Sequence, residues 1–373
     1  MADRPEVQTG AGLIRRDAAL VSCPKKGEPM LPQLGKLDRE SFNRIIFPYL
    51  GKEDSRVIVG PKHGVDAAVI ALDDGPVGRR RVMAVAEDPT FGMPVLMPYF
   101  GWGIVHICAS DVAVLGIRPQ FMTICLLLPP GIEEEVLAAT WKQVHEECLK
   151  LGIAVVGGHT GIYGGMPYPL NGGCTVWGFG NEEEITPASA ARPGDLVLMT
   201  KGPAIEATGI LAIQAEAELN KAIGAEMTRA GKELFLEMTV VKDALALFGC
   251  ARAMHDATEG GLLNGVYEMA EASGIGVRLQ EKDIFTPEAV TRVCDYFEID
   301  PLISISEGTL VAAVPPARRE EALARLRSAG VPAWFIGEFT ESGRTFERKD
   351  GSVQELEPVK VDPFWAAYFK ALS

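Results

Sequence analysis

Gly60-Pro61-Lys62-His63-Gly64-Val65-Asp66-Ala67-Ala68-Val69-Ile70 joins two strand-like runs, residues 56–59 before it and 65–72 after it. Glycines at both ends let the backbone turn tightly and approach a ligand closely. Lys62 offers a positive charge to a phosphate, His63 a second cation, and Asp66 an oxygen for a magnesium ion. This is not a Walker A loop, because no Gly-Lys-Ser/Thr follows and the loop enters a strand, not a helix. The same residues also suit a hairpin turn with a surface lysine and aspartate, and the loop alone leaves both readings open.

Downstream, residues 81–86 read as the next strand, ending in Glu87-Asp88-Pro89-Thr90-Phe91-Gly92. Two acids followed by a proline that stops pairing look like a ligand-facing strand end, or simply a charged turn. Residues 94–115 form an almost wholly apolar helix, which must be buried. Asp111 interrupts it, and a carboxylate there is costly unless it is paired or metal-bound. His106, on the same helix, reads as a satisfied core histidine. A buried strand (120–128) and an amphipathic helix (132–151) follow. The strand at 154–156 opens into Gly157-Gly158-His159-Thr160-Gly161, with a Gly/Pro-rich loop reaching to residue 173. No helix follows those glycines, so a Rossmann reading fails.

The acidic stretch 181–194, with Pro187, Pro193 and Gly194, reads as a domain boundary. The second half again alternates strands and helices, with His255-Asp256-Ala257-Thr258-Glu259-Gly260-Gly261 placed just before a helix. The expected organisation is an arm over residues 1–35, a first domain over 36–182, a second over 195–345, and a tail over 346–373 with an aromatic helix. Asp38 is the expected cap of the first helix.

At 373 residues, two domains are the default. The net charge of −14 argues against a nucleic-acid or anionic-membrane surface. The apolar runs are broken by Gly, Pro, His or Asp, so no membrane span is expected. Seven scattered cysteines without a Cys-x-x-Cys pair imply a reduced, cytoplasmic protein. His145 and Cys148, three apart on a helix, lack a second ligand pair and read as structural.

Taken in order, Gly64-Val65-Asp66-Ala67-Ala68, Glu87-Asp88-Pro89-Thr90-Phe91, Ser110-Asp111 with the run to Pro119, and Gly157-Gly158-His159-Thr160 resemble the amino-terminal domain of the PurM-like ATP-binding superfamily. That superfamily includes aminoimidazole ribonucleotide (AIR) synthetase, selenophosphate synthetase, thiamine monophosphate kinase and the hydrogenase maturation protein HypE. The segment from His255 to Leu262, the run Glu268 to Gly276 and Thr200-Lys201-Gly202 are similar to its carboxy-terminal domain. The resemblance spans residues 36–345 and is closest to HypE-like or AIR synthase-related members.

The resemblance implies a mixed α/β (α+β), two-domain fold and a homodimer whose amino-terminal domains share a β-barrel. It implies ATP and Mg2+ at the cleft between domains, with a small-molecule substrate. Asp66, Asp88 and Asp111 would hold the metal. Asp66, Asp111 and Asp256 would be the catalytic acids. Lys62, His63, Gly64, Asp88, Gly157, Gly158, His159, Thr160, Thr258, Gly260 and Gly261 would line the nucleotide, the last two at a helix N-terminus suited to an anion. Three departures stand out: Val65 replaces one of two adjacent acids, His159 replaces an acid, and Glu259 stands where HypE proteins carry arginine. No cysteine follows Cys294, so carbamoyl chemistry on a tail thiol is not expected in its usual form. The expected function is an ATP- and magnesium-dependent enzyme that activates or phosphorylates a small molecule. A kinase acting like thiamine monophosphate kinase and a non-catalytic nucleotide-binding accessory protein are the alternatives.

Overall fold

The computed structural model describes residues 39–62 and 64–372. The arm over residues 1–35, the Asp38 cap and His63 lie outside the described residues. Two sheets organise the chain.

The first sheet contains β1 (Val57–Val59), β2 (Ala68–Ala71), β3 (Arg81–Gly92), β4 (Phe121–Leu128), β5 (Ala154–Ile162) and β6 (Leu170–Asn181). Their order is β1-β2-β3-β6-β4-β5, antiparallel except for the β4–β5 pair. Period-two alternation sorts its side chains. In β4, Met122, Ile124, Leu126 and Leu128 are buried, whereas the residues between them are half-exposed. The buried face lies under the helices Phe100–Ala113 and Glu134–Leu151. Phe100–Ala113 is buried along nearly its whole length, as its all-round apolarity requires. Within the stretch Pro94–Ala113, which is long and apolar enough to cross a bilayer, most residues are packed inside the protein.

The second sheet contains β7 (Leu196–Thr200), β8 (Ala253–Ala257), β9 (Gly276–Gln280), β10 (Thr309–Val314), β11 (Ala333–Thr340), β12 (Arg344–Glu347) and β13 (Val353–Glu355). Its order is β13-β12-β9-β11-β7-β10-β8. β10, flanked by β7 and the edge strand β8, is buried at every position, and its run Thr-Leu-Val-Ala-Ala-Val contains no charged residue. The two halves are not separate bodies. One apolar core runs from Val69, Val112 and Ile124 of the first half to Val241, Leu247 and Leu310 of the second.

Two local expectations are corrected. Pro89 does not end its strand: β3 continues to Gly92, paired with β6 throughout. Beyond Val85 the pairing with β2 is over, so β3 has a neighbour on one side only, and such an edge tolerates a residue without an N–H. Gly157 to Gly161 likewise stay within β5 and do not open into a loop, because β4 pairs with them in parallel as far as Ile162.

Candidate active site at the seam between the halves

Asp66 sits in the loop before β2, which begins only at Ala68. Asp88 lies on β3 with its side chain on the helix-covered face, in step with buried Val82, Ala84 and Ala86. Asp111 is on the last turn of Phe100–Ala113. Asp256 is on β8, fully buried. Glu307 is in the turn entering β10, buried at 3% exposure. The antiparallel pairing of Thr309 with Ala257 folds Glu307 back beside the end of β8.

These five carboxylates converge. Burial, then the charges of Asp88, Asp256, Asp66 and Glu307, push Asp111 well above the usual carboxylate range. Three come from the first half and two from the second, so the cluster exists only when both halves are packed together. Oxygen donors at this density suit a hard divalent cation such as Mg2+. Among the described residues, ligand atoms of Asp66, His255 and Asp256 lie within 4.8 Å of one another.

His255 organises the site from beneath. Its Nδ1 is 2.7 Å from Asp66 Oδ2 and its Nε2 is 3.0 Å from Glu268 Oε2. Burial alone would lower its pKa, but the two carboxylates outweigh burial and hold it well above the ordinary histidine value. Both ring nitrogens then donate, one to each acid. Asp66 is thereby fixed to β8 and to the helix Gly261–Ala272. The approach is close: Gly64 has φ +74°, and a Cβ there would lie 3.1 Å from the Glu268 side chain.

The helix Gly261–Ala272 begins at two glycines with φ +80° and +65°. A Cβ on Gly261 would lie 2.5 Å from the Ser304 carbonyl oxygen. Expected as an open anion site, this helix start is engaged by the chain itself. The Gly260 N–H donates to Asp362 Oδ2 at 2.7 Å. Burial lifts Asp362 to about 6, against the pull of the Gly260 and Phe364 N–H groups. Glu259 has a partner in the tail: Oε1 accepts the indole N–H of Trp365 at 2.8 Å. The C-terminal helix Phe364–Leu372 thus docks on the body, with Phe364, Ala367 and Tyr368 buried against the cluster containing Ile205 and Leu211.

Other expected residues fall elsewhere. Lys62 is exposed on the loop. Thr258 is half-buried, and its carbonyl accepts the N–H groups of Gly261 and Ser306. Gly157, Gly158, His159 and Thr160 are not brought to the acid cluster within one chain. The register runs Asp88–Cys174–Ile124–Gly158 across β3, β6, β4 and β5. At about 4.8 Å per strand, β5 lies about 14 Å from Asp88. His159 is exposed, with Nε2 2.7 Å from the Tyr163 hydroxyl. His106 is the satisfied core histidine expected, between Glu147 Oε2 and Thr239 Oγ1. Lys201 has φ +59°, and its Nζ donates to Asp243 and the Thr239 carbonyl.

His255, Glu268, Glu307 and Asp362 were not among the site residues expected from sequence. His255 sits inside a motif already singled out, and its position next to Asp256 was the available signal. Glu307 and Asp362 offer none, since both reach the site through contacts with residues far away in the chain.

The fold and site define a class: a two-sheet α/β protein with a carboxylate-lined seam suited to a divalent cation. The chain belongs to the AIR synthase-related family. The N-terminal domain model of the AIR synthase related proteins matches residues 64–178, and the C-terminal domain model matches residues 192–350. Among curated relatives, the carbamoyl dehydratase HypE of Cupriavidus necator is 29% identical over 297 residues, covering 76% of this chain and 79% of the relative. The selenide, water dikinase of Nitratidesulfovibrio vulgaris strain DP4 is 27% identical over 337 residues, covering 80% and 89%. The crystal structure of hydrogenase maturation protein HypE in complex with ATP superposes with a TM-score of 0.62 at 23% identity, covering 79% of this chain and 89% of that one. The expected PurM-like two-domain fold is therefore the observed one.

Proposed function

We propose that this protein is an ATP- and Mg2+-dependent enzyme that activates or phosphorylates an oxygen of a small molecule at the seam between its halves. The observation that carries this reading is that Asp66, Asp88, Asp256 and Glu307 all lie near enough to Asp111 for their charges to raise its carboxyl, with ligand atoms of Asp66 and Asp256 within 4.8 Å of each other. His255 answers the charge of Asp66, but Asp88, Asp111, Asp256 and Glu307 still crowd a largely buried place, and a metal ion would answer their charge. ATP is the ligand named for one structural neighbour, and the dikinase relative is a phosphoryl-transfer enzyme by name.

Asp66, Asp88 and Asp111 are the residues that would hold Mg2+, with Asp256 and Glu307 closing the site from the second half. When bound, the metal neutralises phosphate charge and orients the transferring group. The chain's own contribution is positional. His255 fixes the carboxylate of Asp66, and the interlocked core keeps both halves of the acid set in register. Chemistry of this class needs little covalent help from side chains.

Transfer to oxygen is favoured over transfer to the buried cysteines. Among the described residues, Cys108, Cys148, Cys174, Cys250 and Cys294 are buried and Cys125, on β4, is half-exposed; burial pushes the Cys294 thiol up to about 12. A buried thiol of this kind is inert. This observation supports direct phosphotransfer in the manner of thiamine monophosphate kinase as the second reading.

The assembly is a homodimer through the outer face of the first sheet. There Phe121 stacks on Trp177 and meets Phe179 edge-on, both at ring-centroid distances of 5.9 Å, all three half-exposed beside Met83 and Val85. An aromatic sheet face of this kind marks an association surface. His159 and Thr160, remote from the acids of their own chain, belong to that dimer side.

Calorimetry with ATP, with and without Mg2+, tests the reading, followed by ATP turnover in the presence of candidate metabolites. Magnesium-dependent binding and metabolite-stimulated ATP consumption are expected. Tight binding without turnover by any metabolite overturns the enzyme in favour of an accessory protein. No binding at millimolar ATP overturns the site itself.

A further inference from the structure

A second depression, of opposite sign, opens on the seam between the halves. It has a volume of about 410 Å3 and shares no lining residue with the acid cluster. Arg118 and Lys150 of the first half and Lys242 of the second stand around it, over a floor that includes Leu151, Val241 and Leu245. In a chain of net charge −14, three cations around one hollow are against the overall balance.

Their local pairing sharpens the point. Lys150 Nζ is 2.7 Å from Glu147 Oε1, so its charge is answered. Among the described residues, Lys150 has an ion pair at this hollow and Arg118 and Lys242 have none. Arg118 and Lys242 belong to different halves, and only the fold brings them to one hollow. The helix Val241–Ala246 that carries Lys242 packs on Phe100–Ala113, and the Val240 N–H donates to Ser110 Oγ at 3.0 Å. Lys242 thus stands on a helix packed against the first half, and Arg118 on the short connection from Phe100–Ala113 to β4.

We infer that this depression is a binding site for a small amphipathic anion, with a phosphate or carboxylate head between Arg118 and Lys242 and an apolar body on Leu151, Val241 and Leu245. A guanidinium matches the planar or tetrahedral oxyanion through paired N–H bonds. The lysine ammonium adds a point charge. The floor supplies the area that an inorganic ion leaves unused, so the apolar body is part of the recognition. The volume lies within the range of about 300–1,000 Å3 that ordinary small-molecule sites occupy. Because its charged walls come from both halves, an occupant tightens the seam.

Phenyl phosphate is the probe, titrated without magnesium into methyl-labelled full-length protein. The methyl signals of Leu151, Val241 and Leu245 are expected to shift saturably. The Arg118→Glu/Lys242→Glu variant should weaken that binding by about tenfold or more, the loss of one charge-assisted contact set. Neutral benzyl alcohol should leave the same signals largely unmoved. If the double charge reversal lowers the melting temperature, Arg118→Gln/Lys242→Gln replaces it. Absence of a saturable shift at these methyls, equal affinity in the folded variant, or an equal response to benzyl alcohol overturns the inference.

Discussion

Replacing His255 with glutamine removes one charge and leaves the carboxylates of Asp66 and Glu268 facing each other across its place. In the wild type the imidazole is 2.7 Å from one acid and 3.0 Å from the other. All three side chains are largely shielded, at 3%, 11% and 14% exposure. Breaking a buried ion pair by deleting one partner costs about 3–5 kcal/mol, because the remaining charge is uncompensated. For one cooperative unit of this size, each kcal/mol moves the melting temperature by about 1.3 °C. His255→Gln should therefore melt at least roughly 4 °C below the wild type in metal-free buffer.

The pH dependence gives a second check on the same variant. Burial opposes protonation of His255, but Asp66 and Glu268 outweigh it and its pKa is raised. A raised histidine pKa stabilises the fold fully below its unfolded value of about 6.5. That contribution is lost as pH rises through the folded value. The gap between wild type and His255→Gln should be widest in mildly acid buffer and should close on the alkaline side, as read by circular dichroism melts at stepped pH. A gap below about 1 kcal/mol, at the level of an exposed pair, or a gap that widens with pH, refutes the assignment of a charged His255.

Asp111→Asn should abolish magnesium-dependent ATP binding in calorimetry while raising the metal-free melting temperature, because an amide neither bears a charge among the other acids nor has to take up a proton on folding. An unchanged affinity would remove Asp111 from the site. Asp362 is raised by burial to about 6, so the fold binds its proton more tightly than the unfolded chain does. Relative to Asp362→Asn, the wild type should gain stability as pH falls through that value. Parallel melting curves for the two from pH 7.5 to 5 would show that the tail carboxylate does not titrate there. Phe121→Glu/Trp177→Glu places charges on the aromatic sheet face and should convert a dimer into a monomer by light scattering. A dimer that persists at micromolar concentration would move the interface elsewhere.

Much of the first half was legible because its information is local. The all-apolar run around Asp111 demands burial wherever it is placed, and a lone acid within it must find a cation or a partner. The order of acids at 66, 88 and 111 carried the family resemblance. Strand ends were less legible. Pro89 looked like a stop because proline lacks an N–H, yet on an open edge the lack removes nothing. The glycines after Val156 suggested a loop, whereas parallel pairing with β4 holds them in a strand.

Which segments are apolar, and on which face, could be read along the chain, because period and composition are properties of sequence neighbours. Only the tertiary structure decided their partners. His255 meets Asp66 across 189 positions, and Gly260 meets Asp362 across 102. It also decided that Glu259 turns to Trp365, and that Arg118 and Lys242 share one hollow. The physical reason is that a carboxylate's role is set by what lies within a few ångströms of it. That neighbourhood is fixed by how two sheets and their helices close on a common core, not by the residues on either side in the chain.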